Sequence, residues 1–72
     1  MKYSDTNKKS PCGDLDVYIG KRVKSRRSLL GISQEKLGSS LGITFQQIQK
    51  YEKGVNRISA SSLYNIANAL SI

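Results

Sequence analysis

The 72-residue chain has no histidine and no tryptophan, and only one cysteine, one proline, one methionine and one phenylalanine. Each shortage removes a class of chemistry. Without histidine the commonest general base and metal ligand is gone. A lone cysteine, Cys12, has nothing to pair with inside the chain. Neither a disulfide framework nor a zinc site can therefore staple so small a fold, and packed helices must hold it. Cys12 reads as a reduced thiol of a cytosolic protein, with a redox sensor or an intermolecular disulfide as the alternatives. No apolar run approaches the ~20 residues of a membrane span, and residues 1–13 lack the apolar region of a signal peptide. No nucleophile has a base partner, no carboxylate pair is placed for acid–base work and no glycine-rich phosphate loop occurs, so an enzyme is not expected and no cofactor is implied. Acidic residues are scarce as well: five, against 12 Lys and Arg, for a net charge of +7. That imbalance calls for an anionic partner, nucleic acid or a membrane surface. The second fits poorly, because no broad aromatic-lined amphipathic face accompanies the basic residues.

What is present is helical punctuation. A chain of this length makes one domain, with a thin core that buries roughly 60% of the extended surface. Residues 1–13, with Lys2, Lys8, Lys9, Pro11 and Gly13, can bury no face and read as a flexible basic arm, either a solvated tail or a strand that follows DNA. Residues 14–72 form the domain. A first helix is predicted from about Asp14 to Leu30, its acidic start suited to the helix dipole. Ile19, Val23, Arg27 and Leu30 share one stripe, expected to face the core. Gly20 weakens this helix by about 1 kcal/mol relative to Ala and can admit another helix closely. The run from Lys21 to Arg27 is a solvated face or a phosphate contact, with Lys24 as its candidate.

An arginine on an apolar stripe must snorkel out or find a carboxylate. Asp5, Asp14 and Asp16 lie in the arm and first turn, and Glu35 is already explained by the dipole of its own helix. Glu52 remains, beside the inner face of a later helix, so Arg27–Glu52 is the predicted internal ion pair.

Two short helices follow, joined by a tight turn. Ser33 caps the first of them, Leu37 and Leu41 give it an apolar face, and Gly42 ends it. Thr44 caps the next, with Gln47 placed three residues on to complete a capping box. In that helix Ile48 and Tyr51 face inward, while Gln46, Gln49, Lys50 and Lys53 point outward. Ser59 caps a last helix, about Ala60 to Leu70, with Leu63, Ile66, Ala67 and Leu70 on one stripe. Gly31, Gly42 and Gly54 close the first three helices.

The stretch Ser33-Gln34-Glu35-Lys36-Leu37, Leu41-Gly42-Ile43-Thr44 and Ile48-Gln49-Lys50-Tyr51-Glu52-Lys53-Gly54, followed by Leu63 to Leu70, resembles the phage-repressor/Cro-type helix-turn-helix family, also named for the xenobiotic response element. The resemblance covers about Ile19 to Leu70. It implies an all-α compact bundle of four to five short helices around a central helix-turn-helix. It also implies binding of a double-stranded DNA operator, usually as a homodimer, by a cytoplasmic, nucleoid-associated repressor of bacterial or phage type.

By the same resemblance, Gln34 touches a phosphate and braces the third helix, and Phe45, Gln46 and Lys50 read bases with Gln49 nearby. The loop residues Asn56 and Arg57 meet the DNA backbone, and Arg27 and Glu52 form the family's internal pair. Thr44 at the cap and Lys53 on the outer face complete the candidate phosphate contacts.

Chemistry agrees with much of this. A glutamine can bond the N6/N7 edge of adenine bidentately, and Lys50 suits guanine O6/N7 or a phosphate. Two positions depart from the family pattern. Gly38 replaces the usual alanine. Phe45 replaces a polar reader, and it can pack on a thymine methyl, shield the helix end or touch the sugar-phosphate backbone. The expected function is sequence-specific DNA binding in transcriptional regulation. An antitoxin or coactivator-like protein-interaction module is the alternative. The chain is then either a stand-alone regulator or a fragment ending after its fourth helix, with Leu70, Ile72 and the last helix as the expected dimer contact.

Overall fold

The computed structural model describes residues 13–71. Cys12, the basic arm up to it and Ile72 lie outside the described residues. Within them the chain forms four α-helices: α1 Asp14–Leu29, α2 Gln34–Leu41, α3 Phe45–Lys53 and α4 Ala60–Ala69. The fold is all-α, as expected.

Local chemistry explains the boundaries. Ser33, Thr44 and Ser59 each hold an extended backbone, and each side-chain oxygen accepts from the N–H three residues on, at Lys36, Gln47 and Ser62. Each such bond satisfies an orphan donor of the first turn and contributes about 1 kcal/mol. The expected capping box at Thr44 is half made. The Gln47 N–H donates to Thr44 Oγ1 at 3.2 Å, but no reciprocal bond from the half-buried Gln47 side chain forms among the described residues. α1 begins differently. Gly13 has no side chain with which to cap, and Asp16 Oδ2 accepts the Gly13 N–H at 2.9 Å instead.

At the other ends, Gly42 and Gly54 take left-handed conformations, φ 74° and 75°, which lets the next N–H reach back to the helix. Ile43 donates to the Gly38 carbonyl at 2.9 Å and Val55 to the Lys50 carbonyl at 3.1 Å, a closure suited to glycine. Gly54 is constrained twice, because a Cβ there would lie 2.7 Å from Val17 Cα in α1.

Val23, Leu37, Ile48 and Ile66, from the four helices in turn, form the core together with Leu70. Each fully buried aliphatic side chain of this kind contributes about 1.5–3 kcal/mol. α3 packs on α1 and α2, and α2 also packs on α4. The α1–α3 contact depends on Gly20, where a Cβ would lie 2.7 Å from the Glu52 carbonyl oxygen. Gly38 makes its close approach to the turn, with its Cβ position 2.7 Å from the Ile43 carbonyl oxygen.

Two expectations are corrected here. Leu30 is exposed rather than part of the core stripe: it stands past the last residue of α1, and after the left-handed Gly31 it is Ile32 that packs against the core. Leu70 is fully buried and so cannot be a dimer contact. Arg26 secures that end of the chain: its Nε donates to the Leu70 carbonyl at 3.0 Å and its Nη2 to the Ser71 carbonyl at 3.1 Å.

Candidate nucleic-acid interface

α3 has an inner and an outer side. Ile48 and Glu52 are buried and Tyr51 packs against the core. Gln46, Lys50 and Lys53 are exposed, and Gln49 is half-buried between the two sides. With spacing i, i+3, i+4 and i+7, residues 46, 49, 50 and 53 form one continuous outer stripe of amides and ammonium groups. A helix carrying such a stripe has the width and donor set that a major groove admits.

What holds the stripe in place is a buried charge. Glu52 Oε2 accepts from Arg27 Nε at 2.6 Å, and Oε1 accepts from Arg27 Nη2 at 3.1 Å. The side chains of Arg27 and Glu52 are 11% and 2% exposed. Arg27 Nη1 also donates to the Ile32 carbonyl at 2.8 Å, fastening the loop between α1 and α2. The remaining acceptor capacity of Glu52 is met from α2: Gln34 Nε2 donates to Oε1 at 3.0 Å. Gln34 Oε1 in turn accepts from Gln49 Nε2 at 3.3 Å. A single chain of hydrogen bonds thus runs from α1 through α3 and α2 to the outer stripe. Gln34 serves as its link, a bond the outward-pointing assignment of Gln49 did not include.

The other candidates are distributed unevenly. Phe45 opens α3 and is 36% exposed. Thr44 is exposed at the cap, where its oxygen is already bonded, and Asn56 is exposed in the loop after α3. Lys24 stands apart on α1, in a shallow groove with Lys21, Ser25, Ser28 and Leu29, not on the stripe of α3. Arg57 is engaged: its Nε and Nη2 donate to Asp16, each at 3.2 Å. The Arg57 guanidinium, helped by the Gly13 N–H, holds the Asp16 carboxyl below its ordinary value. Sequence reasoning missed this pair because the helix dipole already accounted for Asp16. Among the described residues no group of His, Cys, Asp or Glu could hold a metal, and no helix is long and apolar enough to cross a membrane.

A helix-turn-helix family model matches residues 23–72. The chain belongs to the Cro/C1-type helix-turn-helix family. Among curated helix-turn-helix relatives, an HTH-type transcriptional regulator of Sinorhizobium medicae is 61% identical over 66 residues, covering 92% of this chain and 47% of its own. A transcriptional regulator in the ATPase CF(0) region of Rhodospirillum rubrum is 55% identical over 58 residues, covering 81% of this chain and 54% of its own. The chain spans about half the length of these curated relatives.

Solved structures carry the same helix-turn-helix fold. The restriction-modification controller protein C.AhdI of Aeromonas hydrophila superimposes with a TM-score of 0.74 at 30% identity, over 78% of this chain and 85% of that one. The clp gene regulator ClgR of Corynebacterium glutamicum gives 0.79 at 21% identity, over 85% of this chain and 65% of that one, a likeness of fold.

Proposed function

We propose that this domain binds operator DNA sequence-specifically, with α3 in the major groove, and that it acts in transcriptional regulation. The observation that carries the reading is the outer stripe of α3, solvent-facing on a helix whose inner side is locked by Glu52 and Ile48. Gln46 and Lys50 are one turn apart and address neighbouring base pairs, with Gln49 and Phe45 beside them. Gln34, Thr44, Lys53 and Asn56 frame the stripe and take phosphates, and Lys24 adds a more distant contact. Arg57 joins them by exchanging Asp16 for a phosphate. The family relatives named as transcriptional regulators and the net charge of +7 support the same use. Assembly as a two-fold homodimer accompanies it, with Leu29 and Tyr64, 75% and 68% exposed, available for the contact in place of Leu70.

Substitution and salt test the reading together. Gln46→Ala should relax preference at one or two base pairs and leave the fold intact, whereas Lys24→Ala should weaken binding to all duplexes about equally. Affinity should fall steeply between about 50 and 200 mM salt with a sequence preference surviving. Weak, sequence-blind binding would point instead to a protein-interaction module. The mass in solution with a selected duplex tests the dimer, whose half-sites should lie about 34 Å apart.

A further inference from the structure

We infer that the buried Glu52 carboxylate, acting through Gln34, fixes which end of the Gln49 side-chain amide faces the DNA. Gln49 then accepts a hydrogen bond from an exocyclic base amine, on adenine or cytosine, and disfavours guanine and thymine at that position. The inference rests on the reading of α3 as the base-contacting helix and adds the polarity of one contact.

A glutamine carboxamide has two ends of similar size and opposite hydrogen-bonding sense, a carbonyl oxygen that accepts and an NH2 that donates. On an open surface either end can turn outward, and the residue then recognises donors and acceptors alike. Here the choice is forced from within. An ionised carboxylate only accepts, so Gln34 must offer Glu52 its NH2, as the 3.0 Å bond to Oε1 shows. Turning Gln34 around would set its carbonyl oxygen against a carboxylate in a nearly dry site, an arrangement that costs the full desolvation of both groups.

With its NH2 committed to Glu52, Gln34 presents Oε1 to Gln49, and only the NH2 of Gln49 can meet it. No bond within the described residues occupies Gln49 Oε1, which is left for the groove. In the major groove, adenine N6 and cytosine N4 donate, whereas guanine O6 and N7 and thymine O4 accept. A carbonyl oxygen held in one orientation therefore selects the amine-bearing bases. The second N–H of Gln49 can add adenine N7, which gives adenine the fuller match. Glu52 and Gln34 are positioning residues in this scheme: Gln49 makes the contact.

The test is selection from a duplex library randomised across the site, using the full chain. The parent should favour an amine-bearing base at one position by about ten-fold. Gln49→Ala should abolish that preference at that position alone. Gln34→Met keeps the side-chain length but leaves Gln49 free to turn, so it should bring guanine and thymine to within about three-fold at the same position, with other positions unchanged. A role for Gln34 only as a structural brace or phosphate contact would lower affinity for all duplexes alike and leave the preference at the Gln49 position unchanged. Gln34→Met/Gln49→Glu should restore the amine preference, because a carboxylate accepts in either orientation; the double variant also guards against a Gln34→Met chain that is simply less stable.

The inference is overturned if Gln34→Met leaves the preference at the Gln49 position intact. It also falls if Gln49→Ala alters no position while Gln46→Ala does, an outcome under which base reading by α3 still stands. If none of Gln46→Ala, Gln49→Ala and Lys50→Ala changes preference anywhere, α3 is not the reader and both fall.

Discussion

Arg27–Glu52 and Arg57–Asp16 are both arginine–carboxylate pairs, and both tie α1 to α3 or to the loop that follows it. Their surroundings differ sharply. The first pair is 11% and 2% exposed, the second 58% and 12%. Glu52 accepts from two donors of Arg27 and one of Gln34, and its burial leaves water little part in solvating it. Arg57 stays largely in solvent. The comparison shows that worth follows environment more than geometry. Breaking the inner pair strands a charge away from water, whereas breaking the outer one hands both groups back to it.

The largest expected effect follows from stranding Arg27. Glu52→Ala should cost about 3–5 kcal/mol, read from the melting temperature or the denaturant midpoint. An unchanged midpoint would break the distinction between the two pairs. Arg27→Met/Glu52→Leu sharpens it, because removing both charges should recover most of that loss if the cost lies in the uncompensated ion. A middle effect is expected where the inner pair meets the backbone. Gly20→Ala would push α1 away from the Glu52 carbonyl and should cost about 1–3 kcal/mol by the same measurement.

The smallest effects belong to the outer pair. Arg57→Ala should cost less than about 1 kcal/mol, and less again in high salt. Its pH dependence has a definite sign. The folded-state carboxyl of Asp16 titrates below its ordinary value of 3.8. Its contribution is therefore complete above that ordinary value and is lost as pH falls through the lower, folded value. Asp16→Asn should differ slightly from the parent at pH 7 and converge on it in strong acid. A gap that stayed constant across an acid unfolding series would remove Asp16 from the account.

Much of the fold was legible because its signals are local. Ser33, Thr44 and Ser59 cap helices that begin one residue later, and Gly42 and Gly54 close theirs with the expected φ. The Arg27–Glu52 pair could be reached by elimination among five carboxylates. What was not legible depends on distant or unlabelled partners. Leu30 fitted the stripe by spacing, but the helix ended one residue short of it. Leu70 stood on the apolar stripe of the last helix and was also read as a dimer contact; only the packing of the helices around one core decides between the two, and it buries Leu70. Gln49 was placed outward by periodicity, and its bond to Gln34 follows from the turn bringing the start of α2 beside the middle of α3. The roles of the outer-stripe residues toward DNA rest on family resemblance and hydrogen-bond chemistry.

The hold of Arg26 on the Leu70 and Ser71 carbonyls has a consequence for the order of folding. The last turn of α4 contains no basic residue, so the cation that suits the negative end of its dipole comes from α1, 44 positions upstream of Leu70. A ten-residue helix is marginal alone, and this one also borrows its terminus. A peptide spanning residues 59–71 should therefore be largely unstructured. In the intact chain, amides in the last turn of α4 should exchange with solvent only as fast as α1 lets go, and Arg26→Ala should speed that exchange while leaving α3 protected.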